Sequence, residues 1–195
     1  MNDHGIIDLL RHGETTAGKC FLGSTNAALT DKGWSQMHNA VSEHIYDMVI
    51  TSPLLRCVDF ARDYSQQRNI PLLVEEDLRE IHFGLWEGKT SEQLWQSEQK
   101  TLVDFWKDPF ANTPPQGEAM TDFVNRVNHC FNRITQEFQD KRILLVAHAG
   151  VIKVIISSAL GILTGQMHKI TIDHGGISRF AQYNDQILVN FINRI

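Results

Sequence analysis

The sequence predicts a three-layer α/β/α sandwich with a mostly parallel central sheet and a small helical cap. Short apolar runs alternate with segments of helical periodicity along most of the chain, as in an α/β protein. The run Ile143–Ala147 is apolar without interruption, which is typical of a central parallel strand covered on both faces. Residues 90–116 break the alternation, because polar residues there are mixed with tryptophan and phenylalanine. This segment is the predicted cap.

Local signals place the individual elements. Thr30 is the expected N-cap of the first helix, and Pro53 follows the end of the second strand. A stripe of Phe123, Val127 and Phe131 at helical spacing predicts a long helix after the cap. In chain order, we expect strands at about 6–10, 46–50, 70–74, 143–147, 178–183 and 187–192, the last two flanking Asn184-Asp185. We expect helices at about 30–44, 55–67, 119–140 and 151–160.

The length of 195 residues fits one domain, so we expect a single domain over residues 1–195 with the cap inserted at about 90–116.

A net charge of −5 without a basic run argues against a nucleic-acid surface. No apolar run approaches the roughly 18–20 residues of a membrane span, and the N-terminus lacks a signal-peptide pattern. Three cysteines without a Cys-x-x-Cys pair indicate reduced thiols. We therefore predict a cytoplasmic protein with neither a nucleic-acid nor a membrane partner.

Reactive side chains follow the predicted strand ends, where ligands bind in open α/β sheets. Arg11 and His12 follow the first strand, Arg56 the second, Glu80 the third, and His148 the strongest strand. A guanidinium group can bind a phosphate through two parallel hydrogen bonds, and a neutral imidazole can attack phosphorus. A nearby carboxylic acid can protonate the leaving alcohol and then activate water. The pattern therefore predicts a phosphoryl-transfer site for a small-molecule phosphomonoester.

The nine histidines raise the alternative of a metal site. No His-x-x-x-His or Glu-x-x-His pair falls on a predicted helix, and few carboxylates accompany the histidines. We therefore predict that catalysis uses no metal and no organic cofactor.

Four segments in order resemble the motifs of the histidine phosphatase superfamily, which includes the cofactor-dependent phosphoglycerate mutases. They are Leu10–Thr15, Ser52–Arg56, Leu78–Gly88 and Val146–Gly150, and the resemblance covers nearly the whole chain. It implies a phosphoglycerate mutase-like fold and hydrolysis through a phosphohistidine. It also implies that His12 is the nucleophile and Glu80 the proton donor. Arg11, Arg56 and His148 would bind the phosphoryl group.

The resemblance assigns supporting positions as well. Gly13 would allow close backbone packing beneath the nucleophile, and Thr15 would fix the loop around the bound phosphoryl group. Glu118 would either line the pocket or provide negative charge at a helix N-terminus. Glu14 and Glu87 remain competitors of Glu80 for the acid role. His82 is expected at the surface or behind the site.

Three positions depart from the family pattern. Gly18 stands where an asparagine is common, which removes one potential phosphate donor. Phe60 replaces a threonine, as expected for a core position. Ala119 replaces the serine of a Gly-Glu-Ser segment.

The short cap, together with Phe83–Glu87 and Pro114–Glu118, is similar to bacterial alpha-ribazole-5'-phosphate phosphatases, which implies an aromatic leaving group. Two alternatives stay open: a phosphatase of broad or sugar-phosphate specificity, and a non-catalytic binding protein on the same fold. The cap aromatics allow two interpretations, local packing or contact with the ligand. They are Trp95, Phe105, Trp106 and Phe110.

Overall fold

A single six-stranded sheet forms the centre of the protein. The computed structural model describes residues 5–183 and 186–195, so the predicted turn at Asn184-Asp185 lies outside the described residues. The strands are β1 (Gly5–Arg11), β2 (Met48–Thr51), β3 (Leu72–Val74), β4 (Arg142–Ala147), β5 (Ile177–Tyr183) and β6 (Gln186–Arg194). Their order across the sheet is β3-β2-β4-β1-β5-β6.

The pairing of the strands confirms the predicted fold class. Strands β1, β2, β3 and β4 are mutually parallel, whereas β5 runs antiparallel to β1 and β6 antiparallel to β5. The carboxyl ends of the four parallel strands therefore meet at one edge of the sheet. This is the edge at which ligands bind in α/β proteins.

Five α-helices accompany the sheet in the described residues. They are α1 (Asp31–Val41), α2 (Leu55–Arg68), α3 (Ser91–Lys107), α4 (Met120–Glu137) and α5 (Ala149–Ala159). Helix α5 begins two residues earlier than predicted, directly after His148. Helix α1 ends three residues earlier than predicted, because the Ser42 N–H bonds to the Asn39 carbonyl and closes the last turn. Within the described chain, no helix has both the length and the apolar character needed to cross a membrane.

Side-chain caps explain where two helices begin. The Thr30 hydroxyl accepts a hydrogen bond from Gly33 N at 3.0 Å, which confirms the predicted N-cap of α1. Thr90 and Gln93 form a reciprocal capping box at the start of α3, the cap helix. Helix α3 is kinked at Glu98, whose carboxylate accepts a hydrogen bond of 3.0 Å from the Trp86 indole. This bond ties the cap helix to the 3₁₀ turn at Gly84–Trp86.

Strand β4 contributes to both hydrophobic layers. Ile143, Leu145 and Ala147 belong to the cluster on one face of the sheet, and Leu144 and Val146 belong to the cluster on the other. All five side chains are fully buried. The uninterrupted apolar run therefore reflects a strand covered on both faces, as predicted.

A buried ion pair crosses the sheet between β1 and β5. Asp8 lies opposite Arg179 in the β1–β5 register and has no solvent exposure. Arg179 Nε and Nη2 donate to the two Asp8 oxygens, each at 2.8 Å, and the Tyr46 hydroxyl donates to Asp8 Oδ2 at 2.7 Å. Burial and the neighbouring Asp8 charge raise the pKa of Tyr46. The cluster is closed, because each of its charges has a partner.

Candidate active site

The residues predicted from the strand ends converge at the carboxyl edge of the parallel strands. Arg11 ends β1, and His12 follows it. The His12 and His148 rings lie 5.3 Å apart between centroids, and Arg56 Nε is 3.1 Å from His148 Nδ1. Glu80 joins them at the N-terminus of α5, where its carboxylate accepts a hydrogen bond from Gly150 N.

These residues border an open cavity of about 400 Å³, here called the polar cavity. Arg11, His12 and Glu80 are part of its wall, whereas Arg56 and His148 are fully buried and lie one layer deeper. Thr15, Trp106 and His174 also line it. The cavity wall thus combines cationic and imidazole groups with a carboxyl group and aromatic rings.

The geometry of His12 leaves one ring nitrogen free. Nδ1 lies 2.8 Å from the Gly13 carbonyl oxygen, which can only accept, so Nδ1 carries the hydrogen and Nε2 keeps its lone pair. Burial, followed by repulsion from Arg56 and Arg11, holds the pKa of His12 well below its usual value of 6.5. His12 is therefore a neutral imidazole at pH 7, the form that can act as a nucleophile.

The backbone beneath His12 is packed too closely for a side chain. A Cβ added at Gly13 would lie 2.1 Å from the Gly33 carbonyl oxygen, and a Cβ added at Gly33 would lie 2.1 Å from the Glu14 carbonyl oxygen. Thr15 pairs with Leu29 in an isolated antiparallel bridge. The loop that carries the nucleophile is thereby fixed against the first turn of α1.

Arg11 has hydrogen-bonding capacity to spare. Nη1 donates to the Ile172 carbonyl at 2.7 Å, and Nη2 lies 2.9 Å from His174 Nε2. Its Nε is buried and has no hydrogen-bond partner among the described residues. A guanidinium group has five N–H donors, so three of them remain for an incoming acceptor. An unmet donor on a buried cation is the arrangement expected where an anion binds.

Arg56 is mostly occupied by protein groups. Its Nη1 donates to the Thr25 carbonyl at 2.9 Å, and Nη2 donates to the Leu22 and Gly23 carbonyls at 3.2 and 2.7 Å. Because Nε–H donates to His148 Nδ1, the opposite nitrogen of His148 carries the hydrogen. That nitrogen, Nε2, lies 2.7 Å from Ser52 Oγ.

Burial, followed by repulsion from Arg56, holds the pKa of His148 well below 6.5, so this ring is also neutral. The N–H of His148 Nε2 donates to the Ser52 hydroxyl oxygen, so both nitrogens of this ring are bonded to protein groups.

Glu87 holds the loop whose carbonyl groups bind Arg56. Its carboxylate accepts hydrogen bonds from the backbone N–H groups of Gly23, Ser24 and Thr25. The Thr25 hydroxyl adds a bond of 2.6 Å. Burial raises the pKa of Glu87, but these hydrogen bonds outweigh burial and leave the pKa below its ordinary value. Glu87 is therefore an anchored carboxylate rather than a proton donor.

Glu80 is held by two backbone N–H groups. Oε2 accepts from Gly150 N at 2.9 Å, and Oε1 accepts from Ile81 N at 3.1 Å. A Cβ at Gly150 would lie 2.2 Å from Glu80 Oε1, so a glycine is needed for this close approach. The resulting geometry points the carboxyl group at the boundary between the polar cavity and a second one.

The second cavity, here called the apolar cavity, has a volume of about 310 Å³. Glu80, Phe83 and Trp106 line both cavities, so the two are continuous at Glu80. Phe105, Met120 and Phe123 form much of the remaining wall, and Lys153 and His168 are its other polar members. Of the cap aromatics, Phe105 and Trp106 face the cavities, while Trp95 and Phe110 do not line them.

Several candidates from the sequence lie outside the cavities. Glu118 pairs with Arg126, with Nε–Oε1 and Nη2–Oε2 distances of 2.6 and 2.9 Å, and does not line either cavity. Arg126 also donates to the Asp77, Arg79 and Glu80 carbonyls. The structure thus places Glu118 behind the Glu80 segment, as a support.

Two further candidates from the sequence are accounted for elsewhere. Glu14 binds Lys32 at the surface, and Phe60 is fully buried in the core.

His174 is a residue of the polar cavity that the sequence did not indicate. It follows Asp173 in a non-helical segment before β5 and belongs to none of the four motifs. Its only local signal is the Gly175-Gly176 pair that follows it, which marks a turn but no chemistry. Within residues 5–183 and 186–195, no group of three or more histidine, cysteine or acidic side chains is placed to hold a metal ion.

Comparison with known proteins places this geometry in a family. The model of the histidine phosphatase superfamily (branch 1) matches residues 7–195. A bifunctional protein of Mycobacterium tuberculosis is 30% identical over 183 residues, which are 91% of this chain and 50% of that protein. The chain therefore spans about half the length of that relative.

Two alpha-ribazole phosphatases match over most of their length. The adenosylcobalamin/alpha-ribazole phosphatase of Escherichia coli is 28% identical over 172 residues, covering 86% of this chain and 85% of that protein. The crystal structure of the alpha-ribazole phosphatase from Shigella flexneri has a TM-score of 0.86 at 27% identity, covering 97% of this chain and 96% of that one. With the family model matching nearly every residue, the chain belongs to the histidine phosphatase superfamily, branch 1.

Proposed function

We propose that the protein hydrolyses a phosphomonoester through a phosphohistidine on His12. The observation that carries the proposal is the neutral His12 ring on the cavity wall, with Nδ1–H bound to the Gly13 carbonyl and the Nε2 lone pair free. The buried, unpartnered Nε of the adjacent Arg11 supports an anion at the same place. A cation beside a nucleophile both attracts the phosphoryl group and keeps the imidazole unprotonated.

In the first step, His12 Nε2 forms a bond to phosphorus while the bond from phosphorus to the ester oxygen breaks. The electron pair of the broken bond goes to the leaving oxygen, which takes a proton from the Glu80 carboxyl group. The Nδ1–H to Gly13 bond stabilises the positive charge that develops on the ring. Arg11 donates to the phosphoryl oxygens. The resemblance to the family implies the same role for Arg56 and His148, which lie one layer behind the cavity wall.

In the second step, water attacks phosphorus and the phosphorus–nitrogen bond breaks. The Glu80 carboxylate takes the proton of the water, so that the acid of the first step is restored. Inorganic phosphate leaves and His12 is neutral again. Every proton moves between groups of this chain, substrate and water.

We propose alpha-ribazole 5'-phosphate as the substrate. The leaving oxygen must lie at Glu80, and the apolar cavity begins there. Phe83 and Trp106 stand at its opening, where they can stack on a planar ring. The E. coli and Shigella relatives support this class of substrate. A cytoplasmic location and the absence of a nucleic-acid partner remain predictions from the sequence.

A substrate panel with two tryptophan variants tests the assignment. We expect kcat/KM on alpha-ribazole 5'-phosphate to exceed that on p-nitrophenyl phosphate and 3-phosphoglycerate by at least about 100-fold, as buried aromatic contacts would provide. Trp106→Ala should lose about 10-fold or more on alpha-ribazole 5'-phosphate. Trp95→Ala is the matched control, because Trp95 lies on the same helix, is also 52% exposed and lines neither cavity.

The panel also separates the alternatives. Equal kcat/KM on all three esters would favour a phosphatase of broad specificity, and preference for a sugar phosphate would favour that substrate class. Hydrolysis of none of them, with a biological effect that survives His12→Ala, would favour a non-catalytic binding protein.

A further inference from the structure

His174 lies within contact of both the nucleophile and its neighbouring cation. Its ring centroid is 5.5 Å from that of His12, and its Nε2 is 2.9 Å from Arg11 Nη2. The ring forms part of the wall of the polar cavity. Its neighbour Gly175 also contacts both residues, but through its backbone N–H, which lies 3.2 Å from the Arg11 carbonyl oxygen and 3.4 Å from that of His12.

The contact with Arg11 fixes the protonation of the His174 ring. A guanidinium group can only donate hydrogen bonds, so His174 Nε2 must accept and Nδ1 must carry the hydrogen. Among residues 5–183 and 186–195, the hydrogen bond of the His174 side chain is the one that Nε2 accepts from Arg11, and Nδ1–H makes none. The ring therefore uses its acceptor on Arg11 and keeps one donor for a further group.

The electrostatic surroundings favour the same neutral ring. Burial and the Arg11 charge lower the pKa of His174 to about 4, although Glu14 and Asp173 oppose the shift. A protonated ring would face a guanidinium group and remove its acceptor.

The backbone holds His174 firmly against β1. Arg11 N donates to the Gly176 carbonyl at 3.0 Å, and Gly175 N donates to the Arg11 carbonyl at 3.2 Å. Asn193 on β6 binds the residue before His174 from the other side, accepting from Asp173 N at 2.7 Å. A side chain carried on a backbone that is fixed on both sides can orient its neighbour with less loss of entropy on binding.

We propose that His174 is a third imidazole of the phosphoryl site: its Nε2 sets the plane of the Arg11 guanidinium group, and its Nδ1–H donates to a non-bridging phosphoryl oxygen. The inference rests on the proposed phosphoryl transfer. Among the described residues, the other hydrogen-bond partner of the Arg11 side chain is the Ile172 carbonyl. With His174 in place, its remaining N–H groups are directed at the same anion as the His174 donor.

The test compares His174→Phe with His174→Gln. Phenylalanine fills the space but has no acceptor for Arg11 and no donor. The glutamine amide supplies both. Inhibition by orthovanadate, calorimetric binding of orthovanadate, and kcat and KM on p-nitrophenyl phosphate are measured for both variants. His129→Phe, an exposed position on α4, is the control for the loss of a histidine.

We expect His174→Phe to weaken vanadate binding by roughly 10- to 100-fold and to lower kcat more than it raises KM, as for loss of one oxyanion donor. His174→Gln should stay within about 5-fold of the wild type, because both hydrogen bonds are replaced. His129→Phe should be unchanged. If His174→Phe does not fold, His174→Ala, which admits water to Arg11, is measured in its place with the same expected loss.

Wild-type vanadate affinity in His174→Phe would overturn the inference. So would equal losses in the phenylalanine and glutamine variants, since those would indicate a packing role alone. Failure of the proposed function is a separate result. If the wild type hydrolysed no phosphomonoester but bound vanadate, and His174→Phe weakened that binding, the anion-binding role of His174 would stand without the reaction.

Discussion

Two arginine clusters lie along β1 and have opposite characters. At Asp8, the Arg179 charge meets a buried carboxylate through two hydrogen bonds of 2.8 Å, and Tyr46 completes the cluster. At the end of the same strand, Arg11 has only neutral partners and an Nε without one. Neither Arg11 nor Arg56 forms an ion pair in the described residues. One cluster is complete within the protein. In the other, Glu80 acts on both guanidinium charges at a distance but forms no ion pair with them in the described residues.

The difference shows how the chain separates stability from function. Removal of either partner of a buried, fully hydrogen-bonded ion pair destabilises the fold, because the other partner is left charged and unpaired. Buried cations that form no ion pair lower the stability of the fold, and a bound anion relieves that cost. We therefore expect mutations in the first cluster to affect folding and mutations in the second to affect catalysis.

The largest effect is expected at the nucleophile. His12→Asn should lower kcat by about 10⁴-fold or more, since loss of a nucleophile removes the covalent route. Its melting temperature should equal or exceed that of the wild type. Acid-free quenching during turnover, followed by mass spectrometry, should find phosphate on His12 in the wild type and none in the variant. EDTA should not change the rate. A label on another residue would contradict the assignment.

The closed cluster predicts the complementary result. Asp8→Ala should lower the free energy of unfolding by about 3–5 kcal/mol, because Arg179 is left without its counter-charge. The folded fraction should keep kcat/KM within about 2-fold, a change of well under 1 kcal/mol. The double variant Asp8→Ala/Arg179→Met should recover much of the stability, as urea denaturation would measure. A large catalytic loss at unchanged stability would mean that the two clusters are not separate.

A third experiment distinguishes Glu80 from its competitors. Glu80→Gln should slow hydrolysis of alkyl phosphates by about 10²–10³-fold, because their leaving oxygen needs a proton. The effect on p-nitrophenyl phosphate should be below about 10-fold, since that leaving group departs as an anion. Glu14→Gln, at the surface beside Lys32, is the matched control and should change neither rate. Equal slowing of both ester classes would remove Glu80 from the acid role.

The smallest effect concerns the dependence of the free energy of unfolding on pH. The pKa values of buried His12 and His148 lie well below 6.5, so the unfolded chain binds protons below pH 6.5 that the folded chain does not. Stability should therefore fall as the pH drops from 6.5 to 5, with a slope that approaches about 1.4 kcal/mol per pH unit for each ring as the unfolded ring becomes fully protonated. Urea denaturation of His12→Asn should show a slope that is shallower by about one proton. Identical slopes would contradict the burial argument.

Much of the fold was predictable because its signals are local. The apolar run at Ile143–Ala147 could only be a strand covered on both faces, and the Thr30 cap fixed the start of α1. The end of α1 was placed three residues too late, because closure at Ser42 depends on a backbone bond that side-chain patterns do not indicate.

Residues of the site were predictable from the sequence only where they belong to one of the four motifs. The positions of Arg11 and His12 follow from a strand end and its loop. The contact between Arg11 and His174 spans 163 residues in sequence and has no periodic signal, so it emerged only from the folded chain. The partners of Arg56 are likewise backbone carbonyl groups of a loop that Glu87 holds. The sequence left two roles open for Glu118, pocket lining or charge at a helix N-terminus, and in the structure it pairs with Arg126 behind the Glu80 segment.

The two cavities meet at Glu80, Phe83 and Trp106, and all four aromatic rings of the apolar cavity come from the stretch between Ile81 and Phe123. The aromatic wall of the apolar cavity is thus encoded in one contiguous stretch, while the groups assigned to bond making are contributed by separate strand ends. A swap of that stretch between relatives is a natural way to transplant preference for an ester and leave the transfer machinery intact.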